Sequence, residues 1–378
     1  MSKSVKVIRY LILILILWNL PSYLRAYFSP MLGSLSSYAS TLLLVIYFLF
    51  AKSRVSIPIP FLILTLLYFI FSGLNPIYGI GENDLLKEFV RSIVVVLFSA
   101  QVLKDSTKKE IYYILLIGAS SIIINAVIFP LANANFYPTY GRYSGFYLNP
   151  NFAGSICVIG YALSYLIKHS VLRLSGQFIL TIAGVFTFSR TFILIWLLIN
   201  IIAIIRSKKN LVTPIVGAGA FIFFFTISSM LSLNEERFNA IESIFSSDKE
   251  VQTETLEEDS RTQTWAIYTD FILEKPFFGN GYYSFQTKAP GLPGVHNAYL
   301  MIFGESGIIP FSIMLGIYTF ILFQSLKTFK HNPENFYLAF AITIFLLTGH
   351  GYFDNYCNIF LSIFAYLNVK KLQKNILA

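Results

Sequence analysis

The stretch FSRTFILIWLLINIIAIIRSKK, residues 188–209, decides the fold. Between Arg190 and Arg206 no residue carries a charge, whereas Arg206, Lys208 and Lys209 crowd the far end. Backbone amides in hydrocarbon find no water to bond, so such an apolar run is stable only as a helix. The pattern recurs along the chain, with apolar runs near 7–24, 35–51, 57–74, 87–103, 111–130, 152–168, 172–188, 191–206, 211–231, 297–325, 335–349 and 353–369. Hydrophobic residues make up 56% of the 378 and charged residues 12%, a balance unsuited to a soluble domain of this size. The expected fold is an all-α integral membrane protein with about twelve transmembrane helices.

The charges test this count. With both termini inside, the inner segments hold Lys3, Lys6, Arg9; Lys52, Arg54; Lys104, Lys108, Lys109; Lys168, Arg173; Arg206, Lys208, Lys209; Lys327, Lys330; and Lys370, Lys371, Lys374. These are 18 of the 28 basic residues, against only 3 of the 19 acids, Asp105, Glu110 and Glu334. Short inner loops rich in Lys and Arg are what the positive-inside rule demands. The net charge of +9 is thus a topology signal, and its dispersal over short turns speaks against nucleic-acid binding. The start, with Lys3, Lys6 and Arg9 before YLILILILWNL, resembles a leader. No small-residue cleavage site follows in PSYLRAYF, so a retained first span is expected. Cys157 and Cys357 lie in apolar runs without disulfide or metal spacing. No internal repeat or broken helix pair stands out, which counts against an inverted-repeat transporter.

Two outer loops are long, about 131–151 and 232–295. The expected organisation is a bundle of nine spans over 1–231, an external subdomain over 232–295, and spans ten to twelve with an inner C-terminus over 296–378. The first half of the larger loop is acidic and reads as solvated surface. The second half, SRTQTWAIYTDFILEKPFFGNGYYSF (260–285), is patterned. Ser260 and Gln263 form a capping box. Trp265, Tyr268, Phe271 and Ile272 follow at helical spacing, and Pro276 ends the run. An amphipathic helix is predicted over 260–274, with a turn at Gly279–Gly281.

Arg142, Arg190 and Arg261 fall on the outer face, which the topology rule should deplete of cations. A single interfacial arginine commonly snorkels to lipid phosphate. Three on one face point to a bound diphosphate, because guanidinium presents paired planar donors. His296 and His350 are the outer histidines, and His296, followed by Asn297 at a helix start, is the candidate base. Glu305 lies nine residues on, about 13.5 Å along a helix and on its opposite face, so it cannot pair with His296 on a straight helix. A carboxylate that deep in a span has a packing or supporting role. Asp354 in the last outer turn is placed to orient a base or bind a sugar hydroxyl. The GESG of 304–307 matches a serine-protease motif but twelve spans do not fit that fold, and Glu82 with Asp84 lacks a third metal ligand.

The ordered series GRYSGFYLNPNFAG (141–154), FSRTF (188–192), DSRTQTW (259–265) with EKPFFGNGYYSF (274–285), and VHNAYL (295–300) with GESGIIP (304–310) resembles the O-antigen ligase and O-antigen polymerase superfamily, over about 140–310. The resemblance implies a GT-C-like, metal-independent, inverting glycosyltransferase without a cofactor, working on the outer side of the bacterial cytoplasmic membrane. Its donor would be an undecaprenyl-diphosphate-linked glycan and its acceptor a saccharide such as lipid A-core. Carried over by residue, Arg190 and Arg261 look like the diphosphate-binding arginines, with Arg142 a further basic position. His296 looks like the histidine that activates the acceptor hydroxyl, with Asn297, Glu305, Asp354 and Asn151 supporting. A repeat-unit polymerase would use the same arginines. A lipid-linked oligosaccharide flippase is the alternative of another class.

Overall fold

A computed structural model of the chain describes residues 3–51, 54–74, 82–127, 142–227, 261–286, 294–349 and 351–377, with the backbone alone at 82–84, 227, 261–263 and 374–377. The described residues form fifteen α-helices and no strand. In chain order they are α1 (Lys3–Leu17), α2 (Leu20–Tyr27), α3 (Pro30–Phe50), α4 (Ile59–Gly73), α5 (Glu82–Lys104), α6 (Lys108–Val127), α7 (Pro150–Ser164) and α8 (Ser170–Phe186). There follow α9 (Arg190–Arg206), α10 (Val212–Ile227), α11 (Arg261–Glu274), α12 (Ala298–Ser306), α13 (Ile308–Lys327), α14 (Pro333–Phe345) and α15 (Tyr356–Leu377). Each of the twelve apolar runs is helical over most of its described residues.

Two runs expected as single spans are broken, which corrects both the spans 7–24 and 297–325 and the expectation of no broken helix. The first divides into α1 and α2 around Asn19, whose φ is +52°. Pro21 accounts for the break, since its ring clashes with the carbonyl four residues back, at Leu17, where α1 ends. The second divides at Gly307, with φ +84°. A Cβ there would collide with the Phe277 carbonyl, so only glycine lets the 277–278 backbone lie against this joint.

Among the described residues, four helical stretches are long and apolar enough to cross a membrane: Pro30–Phe50, Lys108–Val127, Lys208–Thr226 and Ile308–Lys327. The bent α1–α2 pair makes a fifth if counted as one span. The quoted helix α9 has 17 residues and rises about 26 Å, short of the roughly 30 Å of a bilayer core.

The chain forms two compact units. The first holds Met1–Ile16, Leu35–Thr107 and Arg261–Ala378. In it α5 packs on α15 and α4, and α12 runs beside α4 and into α13. The second holds Leu17–Ser34 and Lys108–Ser260, with α7 at its centre against α6, α8 and α9. Every residue of α7 except Asn151 is buried, as expected of a helix apolar on all sides. Glycines permit this close approach. A Cβ on Gly160 would come within 2.9 Å of Leu180, and one on Gly154 within 2.9 Å of Ser189.

The loop helix α11 starts and stops where predicted, directly before Lys275-Pro276. Its face is narrower than expected. Tyr268 and Ile272 are buried, but Phe271 is exposed, because the residues packed beneath cover only one side. The Ser260 cap, the acidic half of the loop and His350 lie outside the described residues.

Candidate functional site

Three of the motifs singled out in the sequence each fold, within their own unit, into a corner of the same kind. Leu148, Phe188 and His296 have φ of +62°, +47° and +47°, a left-handed conformation that L-residues adopt at a cost of about 1–2 kcal/mol. Each stands directly before a helix N-cap. The Asn149 side chain accepts the Asn151 and Phe152 amides (2.9 and 3.1 Å) and opens α7. Ser189 accepts the Phe192 amide (3.3 Å) and opens α9. Asn297 accepts the Tyr299 and Leu300 amides (3.0 and 3.1 Å) and opens α12. Strained non-glycine corners persist only where their surroundings hold them, and they concentrate at working sites.

In the second unit the brace is Arg142. Its guanidinium is buried, donating from Nε to the Thr187 carbonyl (2.9 Å) and from Nη2 to Asn151 Oδ1 (2.8 Å). It thereby ties the start of α7 to the residue before Phe188. The neighbouring Tyr143 amide bonds the Phe186 carbonyl at 3.1 Å. Arg190 follows the Ser189 cap as the first residue of α9 and is exposed. A cation at a helix N-terminus is unfavourable by about 0.3–1 kcal/mol unless an anion offsets it. The segment continues through Gly145 (φ +52°), held by the Asn125 and Ser121 side chains. Here it closes a cavity of about 310 Å³ walled by Tyr23, Tyr27, Ile124 and Phe146.

In the first unit His296 is half-buried, between buried Val295 and buried Asn297. The Val295 amide donates to the Phe285 carbonyl (3.1 Å), and its own carbonyl accepts the Trp265 indole (3.2 Å). The GNG turn lies on α12. The Asn280 and Gly281 amides bond the Gly304 and Glu305 carbonyls (2.7 and 3.1 Å), and a Cβ on Gly279 would run into the Glu305 backbone. Glu305 is fully buried, accepting hydrogen bonds from Tyr68, from the Phe285 amide (3.0 Å) and from the Gln286 side chain (3.2 and 3.0 Å). Ser306 of the GESG motif is also buried and donates back to Ile302, so it offers no nucleophile. Asp354 is exposed in the turn before α15. Burial pushes the Tyr282 hydroxyl pKa up, and the carboxylates of Glu88, Glu305 and Asp354 act in the same direction.

Of the residues chosen from the sequence, the first unit holds His296, Asn297, Glu305, Asp354 and Arg261, the last as the first residue of α11. The second unit holds Arg142, Asn151 and Arg190. Glu82 and Asp84 fall in the first turn of α5. Sequence reasoning missed the left-handed corners and the Tyr68 and Gln286 partners of Glu305. Asn and Ser at helix starts were the legible signal for the former. Nothing local marks the latter, since Tyr68 is 237 positions away.

Residues 176–315 match the family model described as O-antigen ligase, and this match places that stretch in the O-antigen ligase and O-antigen polymerase superfamily. No curated protein and no solved structure matches the chain. The family suggests a ligase-like or polymerase-like glycosyltransferase that works on lipid-linked glycans at a membrane.

Proposed function

We propose that this protein is an O-antigen ligase-like glycosyltransferase that moves a glycan from undecaprenyl diphosphate to an acceptor hydroxyl, on lipid A-core or a similar saccharide. The observation that carries the reading is the match over 176–315, which contains Arg190, Arg261 and His296. The proposed setting is a twelve-span, GT-C-like bundle in the bacterial cytoplasmic membrane, with both termini cytoplasmic and the 232–295 loop outside as a subdomain.

A sugar hydroxyl is a weak nucleophile until a base takes its proton. His296 accepts that proton, and the hydroxyl oxygen attacks the anomeric carbon. The bond from that carbon to the diphosphate oxygen breaks on the opposite side, so configuration inverts. The departing polyprenyl diphosphate carries the released charge, and Arg190 and Arg261 receive it as paired guanidinium donors. With the leaving group neutralised this way, the step needs no metal or other cofactor. General-base help is worth about 10²–10⁴-fold, and charge stabilisation of the leaving group about 10²–10³-fold per donor. Arg142, engaged with Thr187 and Asn151, serves in this scheme as the residue that holds the Arg190 corner. Asn297 caps the helix behind the base, and Asn151 completes the Arg142 brace.

A polymerase would run the same step onto another lipid-linked repeat unit. A flippase gains one supporting observation, the broken α1–α2 pair, since discontinuous helices line many transport paths. Purified protein in lipid nanodiscs, given lipid-linked donor and acceptor, decides among the three. Transfer of one glycan block supports the ligase and a ladder of lengthening products the polymerase. Movement of donor across a vesicle without transfer sinks the enzyme reading.

A further inference from the structure

We propose that Glu305 is the residue that positions His296, acting through backbone and not by direct contact; this rests on the proposed function. The connection runs through two hydrogen bonds. Glu305 Oε1 accepts the Phe285 amide (3.0 Å), and the Phe285 carbonyl accepts the Val295 amide (3.1 Å). Val295 is bonded in sequence to His296. The Trp265 indole holds the other side of Val295 through its carbonyl (3.2 Å). The carboxylate is itself locked by Tyr68 and Gln286, and the Gly281 amide fixes its main chain (3.1 Å).

The arrangement explains two otherwise costly features together. A fully buried carboxylate is unfavourable, and a simple packing role would be filled by an apolar side chain. A left-handed His296 relaxes unless its neighbours are fixed. Charge-assisted bonds from backbone amides to a carboxylate are about twice as strong as neutral ones. Glu305 therefore supplies rigidity to the backbone that sets the angle of the base. It is a positioning residue, because its side chain bonds Tyr68, Phe285 and Gln286 and reaches His296 only through the backbone.

The test uses Glu305→Gln and Glu305→Ala in the full-length protein in nanodiscs. Glutamine keeps one oxygen for the Phe285 amide but turns an NH2 group towards Tyr68 or Gln286. We expect kcat to fall roughly 10-fold in Glu305→Gln and on the order of 10²-fold in Glu305→Ala. Donor KM should stay within about twofold, because no binding contact is lost. In Glu305→Gln, carbethoxylation of His296 by diethyl pyrocarbonate, read by peptide mass, should change in rate. The exposed His169 and His331 should label as before. The swap Glu305→Gln with Gln286→Glu should recover much of kcat, since it returns a carboxylate and an amide to the same cluster. Wild-type kcat in Glu305→Gln, a raised KM at constant kcat, or unchanged His296 labelling overturns the proposal. Wild-type transfer by His296→Ala would instead remove the base assignment, and the labelling result alone would then decide whether Glu305 sets this corner.

Discussion

The corner at 188–190 and the corner at 295–297 share one backbone plan and differ in where the working side chain stands. Both place a left-handed residue before a capped helix. In the first, Arg190 comes after the cap, in ordinary helical backbone, and the strain falls on Phe188, which is buried against Phe224. In the second, His296 is itself the strained residue. The braces have opposite charge. Arg142 donates to the carbonyl ahead of Phe188, whereas Glu305 accepts from the amide that leads to Val295. Exchange of Arg190 therefore leaves the strained residue of its corner, Phe188, and its cap, Ser189, in place. Any exchange at 296 alters chemistry and backbone together, and the tests must separate the two.

The largest effect is expected at His296. Asparagine tolerates a left-handed backbone, so His296→Asn keeps the corner and removes the base. Transfer should drop by about 10²–10⁴-fold, measured with purified lipid-linked donor. His296→Gly should lose transfer equally while its melting midpoint stays within the shift of about 1 kcal/mol, because relief of strain offsets the looser unfolded chain. Wild-type transfer by His296→Asn would make the second corner structural, like the first.

Next come the arginines. Arg190→Lys and Arg261→Lys keep charge but lose the paired planar donors. Each should slow transfer by roughly 10- to 100-fold, the worth of one charged hydrogen bond of about 1.5–3 kcal/mol. Near-normal rates in both would remove the diphosphate model. Arg142 should behave differently. Arg142→Ala strands the buried Thr187 carbonyl, at about 1–3 kcal/mol, whereas Asn151, which is not buried, can turn its amide oxygen to solvent. Thermal unfolding should register that loss, whereas Arg190→Ala, at an exposed position, should stay within about 0.5 kcal/mol. Equal destabilisation by the two would erase the distinction between brace and ligand.

The helices were legible because apolar runs and helix signals are local. Pro276 and the Ser260 pattern marked α11 almost to the residue, and the twelve apolar runs contain fourteen of the fifteen described helices, two of the runs being broken. The breaks at Asn19 and Gly307 were not read, although Pro21 and Gly307 carried the signal, because the apolar residues on either side of each were taken as one continuous run. The candidate site was read as residue types in order, from Arg142 to His296. Its geometry was not, because left-handed corners depend on partners far away in sequence. Glu305 shows the limit. Helical spacing correctly forbade a direct pair with His296, yet no periodicity discloses a link through Phe285 and Val295.

The smallest effect compares the caps themselves. Asn297 accepts two amides at 3.0 and 3.1 Å, whereas Ser189 accepts one at 3.3 Å. Replacing an N-cap by alanine removes about 0.5–2 kcal/mol. Asn297→Ala should therefore lower the melting midpoint more than Ser189→Ala. It should also lower kcat, since the cap fixes the residue that follows the base. Ser189→Ala should spare kcat more, because Arg142 still holds Thr187 and the two corner residues behind Arg190 remain packed. The reverse order, with Ser189→Ala the more damaging to transfer, would mean that the arginine corner depends on its cap and the histidine corner on its brace alone.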